Sequence, residues 1–161
     1  MKKFLLILTF ITILMSSGCS GKSENPALPP STRDLTGLEG IWDYSANLDG
    51  TIKIAGIGHH EEETRPGYFV ITPLSVNDFV GNTVAWSYDG SHLYLRWTEV
   101  VGVDTVYGHF NSTRTYTFKI ELTPTATSGA ISGDVDGVLT IPVYGPAKET
   151  LSVDGTFAKR V

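Results

Sequence analysis

Cysteine is nearly missing from this chain: Cys19 is the only one among 161 residues. A lone thiol excludes an internal disulfide and a zinc-thiolate site, so the stability of any folded part rests on packing. A membrane-spanning run is missing as well. The apolar stretch from Phe4 to Met15 is interrupted by Thr9 and Thr12, and at about 12 residues it falls short of the roughly 18 that a spanning helix needs. Positive charge is scarce, with 12 Lys and Arg against 17 Asp and Glu and a formal charge of −5. Removing Lys2 and Lys3 with a leader takes this to 10 against 17, or −7. That balance excludes nucleic acid as a partner, which requires a basic stripe, and gives no attraction to an anionic lipid surface. Catalytic signatures are also missing. There is no Gly-x-Ser-x-Gly elbow and no phosphate-cradling glycine loop ahead of a helix, and the four histidines have no Ser or Asp partners at informative spacing. Helical periodicity is confined to Leu74–Phe79, which reads as one short turn.

The N-terminus is informative by what it contains. Lys2 and Lys3 precede the apolar stretch, which ends in Ser16-Ser17-Gly18-Cys19, the layout of a secretory signal with a cysteine at its cleavage site. It resembles a bacterial lipoprotein signal, with Ser16 where that family usually places Leu. The resemblance implies cleavage after Gly18, acylation of Cys19 by palmitate-type chains, and attachment to the cell envelope at the outer membrane or a periplasm-facing membrane. Several acyl chains hold a protein far more firmly than the marginal binding of one. The next stretch, Ser20 to Arg33, contains Pro26, Pro29 and Pro30 among polar residues and reads as a tether. The expected organisation is a signal peptide at 1–18, a lipidated cysteine and tether at 19–34, and one domain at 35–161.

That domain reads as all-β. Tyr116, Phe118, Ile120 and Leu122 alternate with Thr115, Thr117, Lys119 and Glu121, a period of two that buries one face of a strand. Shorter alternations occur at Ile52–Ile54, His92–Trp97 and Leu151–Asp154. Turn residues at Asn47-Leu48-Asp49-Gly50, Asp89-Gly90, Gly102, Asn111-Ser112 and Ser128-Gly129 divide the chain into nine expected strands, near 40–46, 50–58, 66–73, 80–88, 91–100, 103–110, 113–123, 129–141 and 149–160. Hairpins in sequence order predict an up-and-down antiparallel barrel of about 8–9 strands, with an Ig-like β-sandwich as the alternative. Gly40-Ile41-Trp42 at the first strand resembles the Gly-x-Trp signature of lipocalins, and Gly155-Thr156-Phe157-Ala158-Lys159-Arg160 resembles the closing strand of lipocalin-like lipoprotein domains. The resemblance implies that Trp42 sits at the closed end with a basic side chain across its ring. Arg160 is the expected partner and Lys159 the alternative, because a planar guanidinium stacks better than an ammonium.

The densest polar cluster is His59-His60-Glu61-Glu62-Glu63. Its donors suit zinc, nickel or copper, but adjacent imidazoles on an extended backbone point apart, so His59, His60 and Glu61 make a weak metal candidate and a solvated hairpin tip is expected. Asp134-Val135-Asp136-Gly137 begins like a calcium loop, yet Gly145 occupies the twelfth position where a bidentate Glu is required. Asn111-Ser112-Thr113 matches a glycosylation sequon and is read as a turn. Tyr107 and His109, on one face of the expected strand 103–110 with Thr105, are candidates for a polar ligand-binding wall. Trp86 and Trp97 are candidates for an aromatic lining, a role that competes with simple core packing. The expected function is that of a noncatalytic, lipid-anchored envelope protein without a cofactor, binding a small apolar or amphipathic molecule in the barrel. The alternative is an interaction or inhibitor module that meets an envelope protein through an exposed segment such as Gly58–Gly67.

Overall fold

The computed structural model describes residues 27–161; the signal, Cys19 and the first part of the tether lie outside the described residues. Eight antiparallel strands follow one another around a closed barrel. They are β1 (Gly40–Ile54), β2 (Ile57–Thr72), β3 (Ser75–Asp78), β4 (Thr83–Tyr88), β5 (His92–Thr105), β6 (Gly108–Glu121), β7 (Ser128–Ile141) and β8 (Gly145–Lys159). Each strand pairs with the next, and β8 returns to β1. Closure leaves no sandwich, since the first and last strands share a ladder from Trp42 opposite Lys159 to Lys53 opposite Lys148.

The strand count is eight rather than nine because several turn-like residues lie inside strands. Asn47-Leu48-Asp49-Gly50 is the middle of β1. Gly50 is there for close approach, since a Cβ at this position would lie 2.1 Å from the Thr150 carbonyl oxygen of β8. The reversal comes at Ala55-Gly56, both with positive φ, at 50° and 84°, as a tight hairpin requires. Gly102 and Asn111 are opposite one another in the β5–β6 ladder, so neither they nor Ser112 form a turn. The expected strand 103–110 is instead the end of one strand, a turn at Val106-Tyr107, and the start of the next. Leu74–Phe79 is not helical: it supplies β3, and none of the described residues is in a helix. Asp89-Gly90 does turn the chain between β4 and β5, with the Asp89 carboxylate accepting from the backbone N–H groups of Ser91 and His92 at 2.8 and 2.7 Å.

Inward residues follow the period of two. On β1 they are Trp42, Tyr44, Ala46, Leu48, Ile52 and Ile54, and on β6 Tyr116, Phe118 and Ile120. The end of the barrel nearest the start of β1 is filled by rings: Trp42 stacks on Phe157 at 5.0 Å, and Tyr44 stacks on Phe69 at 5.1 Å. Leu35 and Leu38, both fully buried, belong to the same core. The chain is attached before the expected boundary, because the backbone N–H groups of Thr32 and Arg33 donate to the Tyr88 carbonyl at 3.0 and 3.2 Å. A second, smaller apolar cluster, containing Ile52, Ile54, Val103, Leu139, Ile141 and Ala147, occupies the opposite end.

The basic partner of Trp42 is Lys159, not Arg160. Trp42 and Lys159 are opposite in the β1–β8 register and so share the inner face, with Nζ 5.8 Å from the indole ring. Arg160, one residue on, is on the other side of the chain. Its guanidinium pairs with Asp43 and lies 5.0 Å from the Tyr68 ring.

Candidate functional site

Between the two apolar clusters the barrel interior carries charge. Arg114, at the inward parity of Tyr116 and Phe118, is only 1% exposed. Its Nε donates to Glu149 Oε2 at 2.8 Å, Nη1 to Glu63 Oε2 at 2.7 Å, and Nη2 to both Glu61 and Glu149. Ser112 donates to the same Glu149 oxygen at 2.8 Å. Glu149, from β8, is fully buried, and Gly137 makes room for it: a Cβ there would be 2.1 Å from Glu149 Oε2. One step further down, Arg65 pairs with Glu99 at 2.6 Å and lies 5.1 Å from the Tyr116 ring. The layer therefore sets two guanidiniums against four carboxylates.

Two polar atoms on the β2 side of this layer have no partner. Glu61 Oε2 and His59 Nε2 are buried without a hydrogen bond, and they belong to inward residues two apart on one strand. The Tyr116 hydroxyl, buried in the same layer, lies beside the Arg114 guanidinium. Burial, with the neighbouring Glu149 carboxylate reinforcing it, pushes Glu61 up to about 7 against the pull of Arg114. Burial would raise Glu149 too, but the Arg114 hydrogen bonds outweigh it and hold this carboxyl below its ordinary value.

These opposite shifts give opposite pH dependences. A raised folded-state value makes Glu61 contribute stability that is complete below its unfolded value and lost as pH rises through about 7. Glu149, held low, contributes above its unfolded value and loses that contribution as pH falls. Glu61→Gln is therefore expected to be more stable than the parent at pH 8, by roughly 1–2 kcal/mol after allowance for solvent screening, with the gap closing toward pH 5. Urea unfolding at the two pH values checks this, and a gap that widens in acid would contradict it.

The layer reaches solvent through the side of the barrel. Strands β3 and β4 are short, so β2 has a strand beside β1 only and pairs with β3 solely over Phe69–Thr72. Likewise β4 covers β5 only from Leu93 to Arg96. Among the described residues, 57–68 of β2 and 97–105 of β5 each have a strand on one side alone. The two free edges border a slot, and a cleft of about 330 Å³ opens at its base between the β3–β4 loop and Arg96–Glu99. Side chains cross behind it at both ends, as the Arg65–Glu99 pair and as the edge-on contact of His59 with Tyr107 at 6.1 Å.

The sequence-derived candidates divide on this frame. The His59–Glu63 cluster is a strand, not a hairpin tip: His59, Glu61 and Glu63 face the slot, whereas His60 faces out, its Nδ1 3.2 Å from the Gly50 carbonyl. No group of three His, Cys, Asp or Glu with metal-holding geometry occurs among the described residues. Tyr107 is at the β5–β6 turn, and His109 lies beyond it on the outer face, paired with Asp104 at 2.8 Å. They form no common wall. Trp97 faces inward but is packed, stacked on Tyr116 at 4.7 Å and edge-on to Phe118; Trp86 packs on the same core. Arg114, Glu149 and Glu99 were not among the expected site residues, and Glu63 and Arg65 were expected only as part of the exposed segment Gly58–Gly67. Parity alone signals them, because Arg114 and Glu149 are in phase with Tyr116 and Leu151 on otherwise apolar faces. No family model, curated protein or solved structure matches the chain.

Proposed function

We propose that this chain is a noncatalytic, lipid-anchored envelope protein, that its binding site is the slot between β2 and β5, and that its ligand is amphipathic with a cationic group. The observation that carries this reading is the pair of unpartnered atoms, Glu61 Oε2 and His59 Nε2, in a layer where carboxylates outnumber guanidiniums. An unpaired buried acceptor is costly, and a ligand ammonium or guanidinium relieves that cost. Partly buried Val101 and Phe110 beside Val103 offer the apolar contact. The closed end is the poorer site for an apolar molecule, since Trp42, Phe69, Phe118 and Phe157 already occupy it.

Calorimetry with an oppositely charged pair of similar shape tests the reading. Tryptamine is expected to bind the detergent-extracted protein, indole-3-propionate is not, and Glu61→Gln is expected to weaken tryptamine at least tenfold at pH 8. Equal binding of the two, or none by tryptamine, would overturn the site. The anchor has its own test: Cys19→Ser should abolish palmitate labelling, and label that persists in the variant would remove the lipid-anchored part of the proposal.

A further inference from the structure

We infer that the slot takes an extended basic peptide, which adds as a strand to the free edge of β2 and directs alternate Arg or Lys side chains toward Glu61 and Glu63. The inference rests on the slot being the binding site and goes beyond it by naming a polypeptide as occupant and the backbone as the means of recognition.

Three features converge on this occupant. The first is the edge. Residues 57–65 of β2 pair with β1 on one side only, and alternate residues of such a strand turn their N–H and C=O groups away from the existing partner. A row of unpaired main-chain groups is a template for one more strand. Pro66, which lacks an N–H, bounds that template from the Arg65 side. The facing edge of β5 is similarly free over 97–105, so the added strand fills a place in the wall that short β3 and β4 leave open.

The second feature is charge. The inward residues of the template are His59, Glu61, Glu63 and Arg65, and Glu99 faces them across the slot. With two guanidiniums against four carboxylates, the layer is two cations short of neutrality once Glu61 is ionised. Side chains of neighbouring strands meet at the same alternation, so those two cations belong at positions i and i+2 of the incoming strand, opposite Glu61 and Glu63.

The third feature is the unsatisfied chemistry. Glu61 Oε2 lacks a hydrogen-bond donor in this layer, whereas the buried Tyr116 hydroxyl already has the Arg114 guanidinium beside it. A guanidinium entering opposite Glu61 supplies donors to the carboxylate in a planar, bidentate form that an ammonium cannot match. Arginine is therefore expected to bind better than lysine at that position. A small amine satisfies the charge alone and leaves the β2 edge open.

The test uses the full mature protein and three probes of equal charge: acetyl-Thr-Arg-Thr-Arg-Thr-amide, the same peptide with alternate backbone amides N-methylated, and the reordered acetyl-Arg-Arg-Thr-Thr-Thr-amide. Calorimetry is expected to show the first binding at least tenfold more tightly than the other two. Hydrogen exchange is expected to show new protection of amides within 57–65. If the N-methylated and reordered peptides bind as well as the parent peptide, and tryptamine also binds, strand addition is overturned while the slot stands as a cation site. Protection confined to 97–105 overturns the assignment to β2. Failure of all three peptides and of tryptamine overturns both this inference and the reading on which it rests.

Discussion

Arg114→Met is expected to destabilise the domain by about 3–5 kcal/mol, the largest loss from any single side chain in the polar layer, because it strands Glu149 in the interior without a counter-charge. Glu149 is fully buried, and three of its contacts come from Arg114 and Ser112 alone. Glu61 and Glu63 lose the same partner. For a domain of this size the unfolding midpoint should fall by about 10–20 °C. The loss should also grow with pH, since the stranded carboxylates are tolerated best when protonated. Two companions separate charge from shape. Arg114→Met combined with Glu149→Met should recover most of the loss, because a buried pair replaced by apolar groups of similar size is often neutral or stabilising. Glu149→Met alone should cost less than Arg114→Met, since Arg114 retains Glu61 and Glu63. Thermal unfolding of the three variants at pH 5 and pH 8 checks all of this. A pH-independent loss for Arg114→Met would contradict the electrostatic account.

Trp42→Ala is expected to cost a comparable 3–5 kcal/mol for a different reason, the loss of a large side chain at the ring-filled end of the barrel. Trp42 is fully buried, stacked on Phe157, and its indole N–H donates to the Leu38 carbonyl at 2.6 Å. Removing it opens a cavity and leaves that carbonyl unpaired, and it loosens the segment that carries buried Leu38. The cation over the ring adds less. Lys159→Met should cost about 0.5–1 kcal/mol, less than additively with Trp42→Ala, whereas Arg160→Ala should be additive with Trp42→Ala, since Arg160 is bound to Asp43 outside the barrel. A double-mutant cycle that couples Trp42 to Arg160 instead would contradict the register.

The same two sites show how far the sequence was readable. Fold class was legible because its signal is local: Tyr116, Phe118 and Ile120 alternate with polar residues, and the structure turns those three inward. Turns were legible only where local chemistry was decisive. Asp89 closes its turn with its own carboxylate. Gly50 looks the same in sequence but answers to β8, at Thr150, a strand from the far end of the chain. The reversal at Ala55-Gly56 lacks an Asn or Asp to announce it.

Sequence by itself determined the period where apolar and polar residues alternate cleanly, hence the all-β class and the inward face of strands such as β6, because side chains alternate along a strand whatever its partner is. Only the tertiary structure decided which inward charges meet. Arg114 finds Glu61 and Glu149 across separations of 53 and 35 residues, and those pairings depend on register and on closure of β8 against β1. The same register selects Lys159 over Arg160 for Trp42, since a shift of one residue reverses every face. The slot is likewise a tertiary product: the brevity of β3 and β4 matters only once β2 and β5 are brought to face each other around the ring, and proximity across a closed sheet has no signature in any local stretch of residues.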